Sequence, residues 1–138
     1  SSPPSKVLDT NTLQQLAQDT SPELLPRMLK AFRKEASSRV QAISEHLSPV
    51  AMEPLQREAH SLKSSAGTFG ALDLQQLAQK LELACRHDQP VDIEETAHHI
   101  VEAWEQVKIE LNHYEADSAA VKQSPANMSL KPAVTDTI

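Results

Sequence analysis

Apolar residues recur at intervals of three and four along most of the chain, which is the spacing of amphipathic α-helices. The pattern predicts a short first helix over about residues 10–18. Four longer helices are predicted after it, at about residues 22–47, 52–69, 72–86 and 92–114. Each of these four has one apolar stripe and an opposite polar face, so each needs a partner against which to bury that stripe.

Start signals place the helix boundaries. Ser21 followed by Pro22 offers a hydroxyl N-cap and a proline in the first turn, and Met52 or Glu53 should begin the third helix. Asp92 followed three residues later by a glutamate has the spacing of a capping box and should begin the last helix. Because the connections between the long helices are short, we expect an all-α fold, an antiparallel up-down four-helix bundle with the short N-terminal helix covering one end.

The chain of 138 residues divides into three parts by composition. Residues 1–6 are rich in Pro and Ser and are interpreted as a linker, and residues 7–115 form one domain. From residue 116 to 138 the apolar stripe stops, so we expect a disordered tail there. The chain begins SSPPSK without Met, as an excised part of a longer chain or a tag remnant would, so we expect further sequence upstream.

Composition and charge exclude several classes of function. A net charge of −6 without any block of Lys and Arg argues against a nucleic-acid partner. No apolar run approaches the roughly 20 residues that a transmembrane helix needs, so we expect no direct membrane contact. Cys85 is the only cysteine, which excludes an internal disulfide and favours a reducing compartment.

Candidate chemistry is concentrated in residues 58–70, EAHSLKSSAGTFG, which include both glycines of the protein. At about 100° per residue, His60 points about 140° away from Leu55 and so lies largely in water. We expect Lys63 to be solvated in the same way. The other neighbours of His60 on the helix surface are small or polar, namely Gln56, Ser64 and Gly67. A glycine inside a helix costs about 1 kcal/mol relative to alanine, so close approach by another molecule is one reason to keep Gly67.

Each feature also has an ordinary interpretation. An exposed histidine on a helix is usually just solvated, and the glycines could simply fray the end of the helix. The other histidines form no recognisable metal-ligand pattern, so no metal site is expected. These are His46, His87, His98, His99 and His113.

The run from His60 to Gly70, HSLKSSAGTFG, closely resembles the signature of the histidine phosphotransfer (HPt) domains of bacterial phosphorelays. The resemblance extends through the helix pattern over about residues 7–115. It implies a four-helix bundle with a covering helix. It also implies that His60 accepts a phosphoryl group at Nε2, and that Lys63 offsets the charge of that group.

Two positions depart from the common form of the family. Ser64 stands where most members have Gly, from which we expect a slightly altered docking surface and retained transfer. Glu82, 22 residues after His60, stands where many members have Gln, and the phosphotransfer domains of chemotaxis kinases have Glu there. A carboxylate accepting from Nδ1–H of His60 would leave the lone pair on Nε2. Without the resemblance, Glu82 is equally well explained as a surface charge.

The resemblance implies that the partners are response-regulator receiver domains, which dock on Gln56, Ser64 and Gly67. Mg²⁺ is expected on the receiver, and no cofactor is expected on this chain, which should be monomeric as an isolated domain. We expect the C-terminal HPt domain of a hybrid sensor kinase, in the cytoplasmic part of a membrane-bound protein. The alternatives are the phosphotransfer domain of a chemotaxis-type kinase and a helical adaptor without chemistry. No glycine-rich ATP-lid motif is present, so an autonomous kinase is disfavoured.

Overall fold

The structure is a computed structural model that describes residues 6–128, and the side chains of residues 6–118. It confirms the all-α prediction. In chain order the helices of the described part are α1 (Thr10–Asp19), α2 (Leu25–Glu45), α3 (Met52–Thr68), α4 (Leu72–Arg86) and α5 (Pro90–Met128).

The four long helices form a closed bundle. Each of them packs against its neighbour in the sequence, and α5 returns to pack against α2. Contacts between α3 and α4 pair residue 67 with residue 75 and residue 60 with residue 82, so these two helices run in opposite directions. The short α1 contacts α2 at one end of the bundle, where Leu13 of α1 and Leu8 just before it are buried. This is the covering helix that the sequence predicts.

The core consists mainly of the residues that the periodicity assigns to the apolar stripes. Both phenylalanines and the single tryptophan of the chain meet within it. The ring of Phe32 on α2 stacks on Phe69 at a centroid distance of 4.5 Å and meets the edge of Trp104 on α5 at 5.6 Å. One aromatic cluster thus joins α2, the end of α3 and α5.

The boundaries of α3 and α4 agree with the sequence analysis, but α2 begins later than predicted. Residues 22–24 form a turn, and the N–H of Leu24 donates to both the carbonyl and the hydroxyl oxygen of Ser21. The Ser21 hydroxyl therefore closes this turn and does not cap α2. Pro26 lies in the first turn of α2, where its missing N–H leaves no helical bond unmade.

Two expectations about the last helix are wrong. Helix α5 begins at Pro90, so Asp92 lies inside its first turn and does not cap it. An acidic residue is still favourable there because it faces the positive end of the helix dipole. The helix also continues to Met128, so residues 116–128 are helical where we expected disorder. Residues 129–138, like most of the expected N-terminal linker, lie outside the described residues.

The turn between α3 and α4 is held by the N-terminal segment. Gly70 has a φ of +77°, which side chains rarely tolerate. The N–H of Asp9 donates to the carbonyl of Gly70 at 2.8 Å, and the N–H of Asp73 donates to the carbonyl of Lys6 at 2.8 Å. A Cβ on Gly70 would lie 2.7 Å from the carbonyl oxygen of Asp9. The close approach at Gly70 is therefore made by the chain itself.

We predict that Gly70→Ala lowers the free energy of unfolding by about 2 kcal/mol, from the positive φ and the clash with backbone. Gly67→Ala is the matched control, because a Cβ there meets only the flexible end of Gln75 and improves the helix propensity. Urea denaturation of both variants measures the difference. Equal stability of the two variants would show that the turn does not depend on Gly70.

Candidate functional site

His60 lies in the middle of α3 with its imidazole in water. Its side chain is 62% exposed. Ala59 and Leu62, one residue before it and two residues after it, are fully buried, together with Leu55 and Ala66. The outward direction that the helical geometry predicts for His60 is therefore the observed one.

Glu82 faces His60 from α4. Its side chain is only 6% exposed, so the carboxylate lies between the two helices and away from water. One oxygen, Oε2, is 2.9 Å from Nδ1 of His60. Because an ionised carboxylate can only accept, Nδ1 carries the hydrogen of this bond, and in the neutral ring the lone pair is therefore on Nε2. Glu82 is not an ordinary surface charge, which was the alternative that the sequence left open.

Lys63 is not the solvated residue that we expected. Its side chain is only 29% exposed, and its ammonium group donates to Oε1 of Glu82 at 2.7 Å. A lysine one turn after His60 has a flexible stem, which carries the charge into the groove between α3 and α4. The buried carboxylate of Glu82 is thus paired with the half-buried ammonium group of Lys63.

Arg86 is a further member of the site that the sequence analysis did not identify. Its guanidinium Nη2 lies 3.4 Å from Oε2 of Glu82, and its side chain is 54% exposed. Arg86 follows Glu82 by four residues on α4, a spacing at which opposite charges meet on a helix. That spacing is a signal that the sequence does contain.

The ionisation of Glu82 depends on these donors. Burial raises the pKa of this carboxyl group, but the hydrogen bonds and charges of Lys63 and His60 outweigh burial, so the net pKa lies below its ordinary value of 4.5. A carboxylate with a lowered pKa stabilises the fold above its unfolded-state pKa. That contribution is lost as the pH falls through the lower pKa of the folded state. Glu82 is therefore ionised at neutral pH.

The three predicted docking residues have different surroundings. Ser64 is exposed, and its hydroxyl donates to the carbonyl of His60 at 3.3 Å. Gln56 is half-buried in an open groove beside the imidazole, which Glu53, Arg57 and Ser61 also line. Gly67 is also half-buried, and the side chain of Gln75 lies directly over it. The low surface that we expected at Gly67 is therefore covered from α4.

The described residues 6–128 contain no group of three His, Cys, Asp or Glu side chains placed to hold a metal ion. Over the same range, the helices are all too short or too polar to cross a bilayer.

The chain is similar to a known protein family and to a solved structure. The family model of the Hpt domain matches residues 27–116, which include the whole of α3 and α4. Among solved structures, the fold is similar to that of histidine-containing phosphotransfer protein B (HptB) from Pseudomonas aeruginosa PAO1. The TM-score is 0.76 at 20% identity, covering 85% of this chain and 98% of the other. No curated protein matches the chain. The chain belongs to the Hpt domain family of phosphorelay proteins.

Proposed function

We propose that this domain carries a phosphoryl group on Nε2 of His60 and exchanges it with the aspartate of response-regulator receiver domains. The proposal rests on the hydrogen bonding and the solvent exposure of the His60 imidazole. Its Nδ1–H is bound by a buried carboxylate, while the ring itself is 62% exposed and Nε2 has no partner among the described residues. A nucleophile needs an accessible lone pair in a fixed direction, and this arrangement provides one.

In the transfer step, the lone pair of Nε2 attacks the phosphorus of the receiver's acyl phosphate. The Nε2–P bond forms as the bond from phosphorus to the aspartyl oxygen breaks, and the aspartate leaves as a carboxylate. The ring keeps its Nδ1–H and becomes positively charged. Glu82 stabilises that charge because it accepts the same hydrogen before and after the step. Mg²⁺ bound by the acids of the receiver would neutralise the phosphoryl oxygens, so no metal is required on this chain.

Docking of the receiver is proposed on the surface around His60. Ser64 is exposed one turn beyond the imidazole, and Gln56 and the groove beside it lie one turn before. At Gly67 the contact would be made through the carboxamide of Gln75, which covers the glycine. A receiver that contacts both helices would thus approach Nε2 from the solvent side.

For the parent protein we propose a hybrid sensor kinase with this domain at its C-terminus, in the cytoplasmic part of the molecule. The contact between Glu82 and His60 supports a second candidate, the phosphotransfer domain of a chemotaxis-type kinase, because that group has Glu at this position. The flanking sequence distinguishes the two. A receiver domain upstream favours the first, and dimerisation and ATP-binding regions downstream favour the second.

We predict that His60→Gln abolishes transfer. The intact chain is incubated with a panel of ³²P-labelled phospho-receivers and Mg²⁺, and acid-labile label is measured on it. His98→Gln is the matched control, since His98 is also exposed on a helix but lies on α5. His60→Gln should retain its stability to within about 1 kcal/mol because the position is exposed. Label on folded His60→Gln would refute the assignment, and unchanged signalling by this variant would instead support the adaptor alternative.

We predict that Lys63→Met lowers the free energy of unfolding by about 1–2 kcal/mol at pH 7, because the buried carboxylate loses a donor. The loss should shrink as the pH falls through the lowered pKa of Glu82, because the protonated carboxyl group no longer needs Lys63 to balance its charge. Urea denaturation at pH 7 and at an acidic pH measures this. Lys80→Met is the control, since Lys80 is exposed on the same helix as Glu82. A loss that is the same at both pH values would contradict the charge pairing.

We predict that Glu82→Gln mixes the two tautomers of His60 and slows transfer about three- to tenfold, equivalent to roughly 0.7–1.4 kcal/mol in the barrier. His60 and Lys63 contact different oxygens of Glu82, and the amide keeps an acceptor at only one of those two positions. Imidazole ¹⁵N chemical shifts report the tautomer, and single-turnover transfer reports the rate. Glu58→Gln removes another ion-paired carboxylate from α3, the partner of Arg39, and should leave both readouts unchanged. A wild-type tautomer in Glu82→Gln would remove the support for this role.

A further inference from the structure

The two cations at Glu82 bind different oxygens of the carboxylate. Lys63 donates to Oε1 at 2.7 Å, whereas Arg86 lies 3.4 Å from Oε2, the oxygen that His60 also contacts at 2.9 Å. Arg86 therefore shares an acceptor atom with the imidazole, and Lys63 does not. The guanidinium lies on the imidazole's side of the carboxylate.

The same two cations differ in how firmly they are held. Lys63 is mostly covered and makes a short bond to a buried charge, so moving it to a phosphoryl group would strip the carboxylate of its strongest partner. Arg86 is more than half exposed, and its contact is at the long end of the hydrogen-bond range. If Arg86 moves, Glu82 keeps both Lys63 and His60. The guanidinium also matches phosphate oxygens with two parallel N–H groups, which an ammonium cannot do.

We propose that Arg86 binds the phosphoryl group once it is attached to His60, while Lys63 remains on Glu82 as a positioning residue. This inference rests on the proposed function of His60. Arg86 forms no covalent bond in the step. As the Nε2–P bond forms and the receiver's P–O bond breaks, the guanidinium exchanges its weak contact with Oε2 for the phosphoryl oxygens. The family resemblance implies that Lys63 offsets the charge of the phosphoryl group. In this proposal Arg86 offsets most of that charge instead.

Arg57 provides a matched control. It lies one turn before His60 on α3 and lines the same groove. Its side chain is 69% exposed, and the one ion pair it forms within residues 6–118 is with Glu53, at 3.7 Å. Arg57→Gln and Arg86→Gln therefore remove the same charge from the same neighbourhood, but only the second removes a group that shares the oxygen bound by the imidazole.

The test measures the equilibrium constant for transfer of the phosphoryl group from one phospho-receiver to the intact chain, with Mg²⁺. Both proteins are kept dilute enough that little of either is bound to the other. Under that condition docking residues change the rate of transfer but not the equilibrium constant, so a change in the constant between variants reports the stability of the phosphohistidine. Arg86→Gln should lower the constant about three- to fivefold, as expected for a partly exposed charge pair. Arg57→Gln should leave it unchanged. Circular dichroism confirms that both variants are folded.

A second readout uses phosphoramidate, a small phosphodonor that needs no docking surface. On phosphorylation of the wild-type chain, the Nε–H signal of Arg86 should shift in ¹H–¹⁵N spectra and that of Arg57 should not. Two results would refute the role of Arg86 while leaving the proposed function intact, provided that the wild type is phosphorylated. One is an equilibrium constant for Arg86→Gln equal to that of the wild type. The other is an equilibrium constant for Arg57→Gln that is lowered as much as that of Arg86→Gln. If the wild type accepts phosphoryl from neither donor, the proposed function fails and this inference fails with it.

Discussion

The carboxylate of Glu82 lies between α3 and α4 almost wholly out of water, and an ionised group in that position requires donors close by. Lys63 and His60 reach it from α3, and Arg86 reaches it from the next turn of its own helix. Since the carboxylate cannot turn without losing one of these bonds, it fixes the rotation of the imidazole ring. The direction of Nε2 follows from that constraint, and so does the chemistry that the site can perform.

The bond between His60 and Glu82 depends in turn on the register of α3 and α4. The two helices are joined by a very short turn at Gly70, and a carbonyl hydrogen bond ties this turn to Asp9. Both helices also have small residues on their buried faces, among them Ala59, Ala66 and Ala78. Small side chains allow two helices to approach closely, and at a larger separation the glutamate would have to reach further to meet the imidazole. The N-terminal segment is far from His60 in sequence but supports its geometry through the turn.

Much of this arrangement is predictable from the sequence because it follows from periodicity. The apolar stripe of α3 places Leu62 inwards and His60 outwards, and the same reasoning gives the bounds of α4. Helical periodicity fixes the direction in which a side chain leaves the helix, but not how far it reaches or what it meets on a neighbouring helix. For that reason Lys63 was expected in water and Gly67 was expected to be uncovered. Both expectations fail because α4 presents Glu82 and Gln75 at those points.

The ends of the helices are likewise only partly predictable from the sequence. The Ser21 hydroxyl accepts from a backbone N–H as its residue type suggests, but in a turn that precedes α2. Asp92 is favourable near the start of α5 without being its cap, because Pro90 already begins the helix. In each case the residue type correctly predicts the interaction, a hydroxyl that accepts from a backbone N–H or an acid near a helix start. The neighbouring backbone decides where the helix begins, so neither residue is its cap. The site follows this pattern too. Residue types indicate a nucleophile, a carboxylate and cations, while packing decides that Lys63 is held closely by the carboxylate and that Arg86 contacts it weakly from an exposed position.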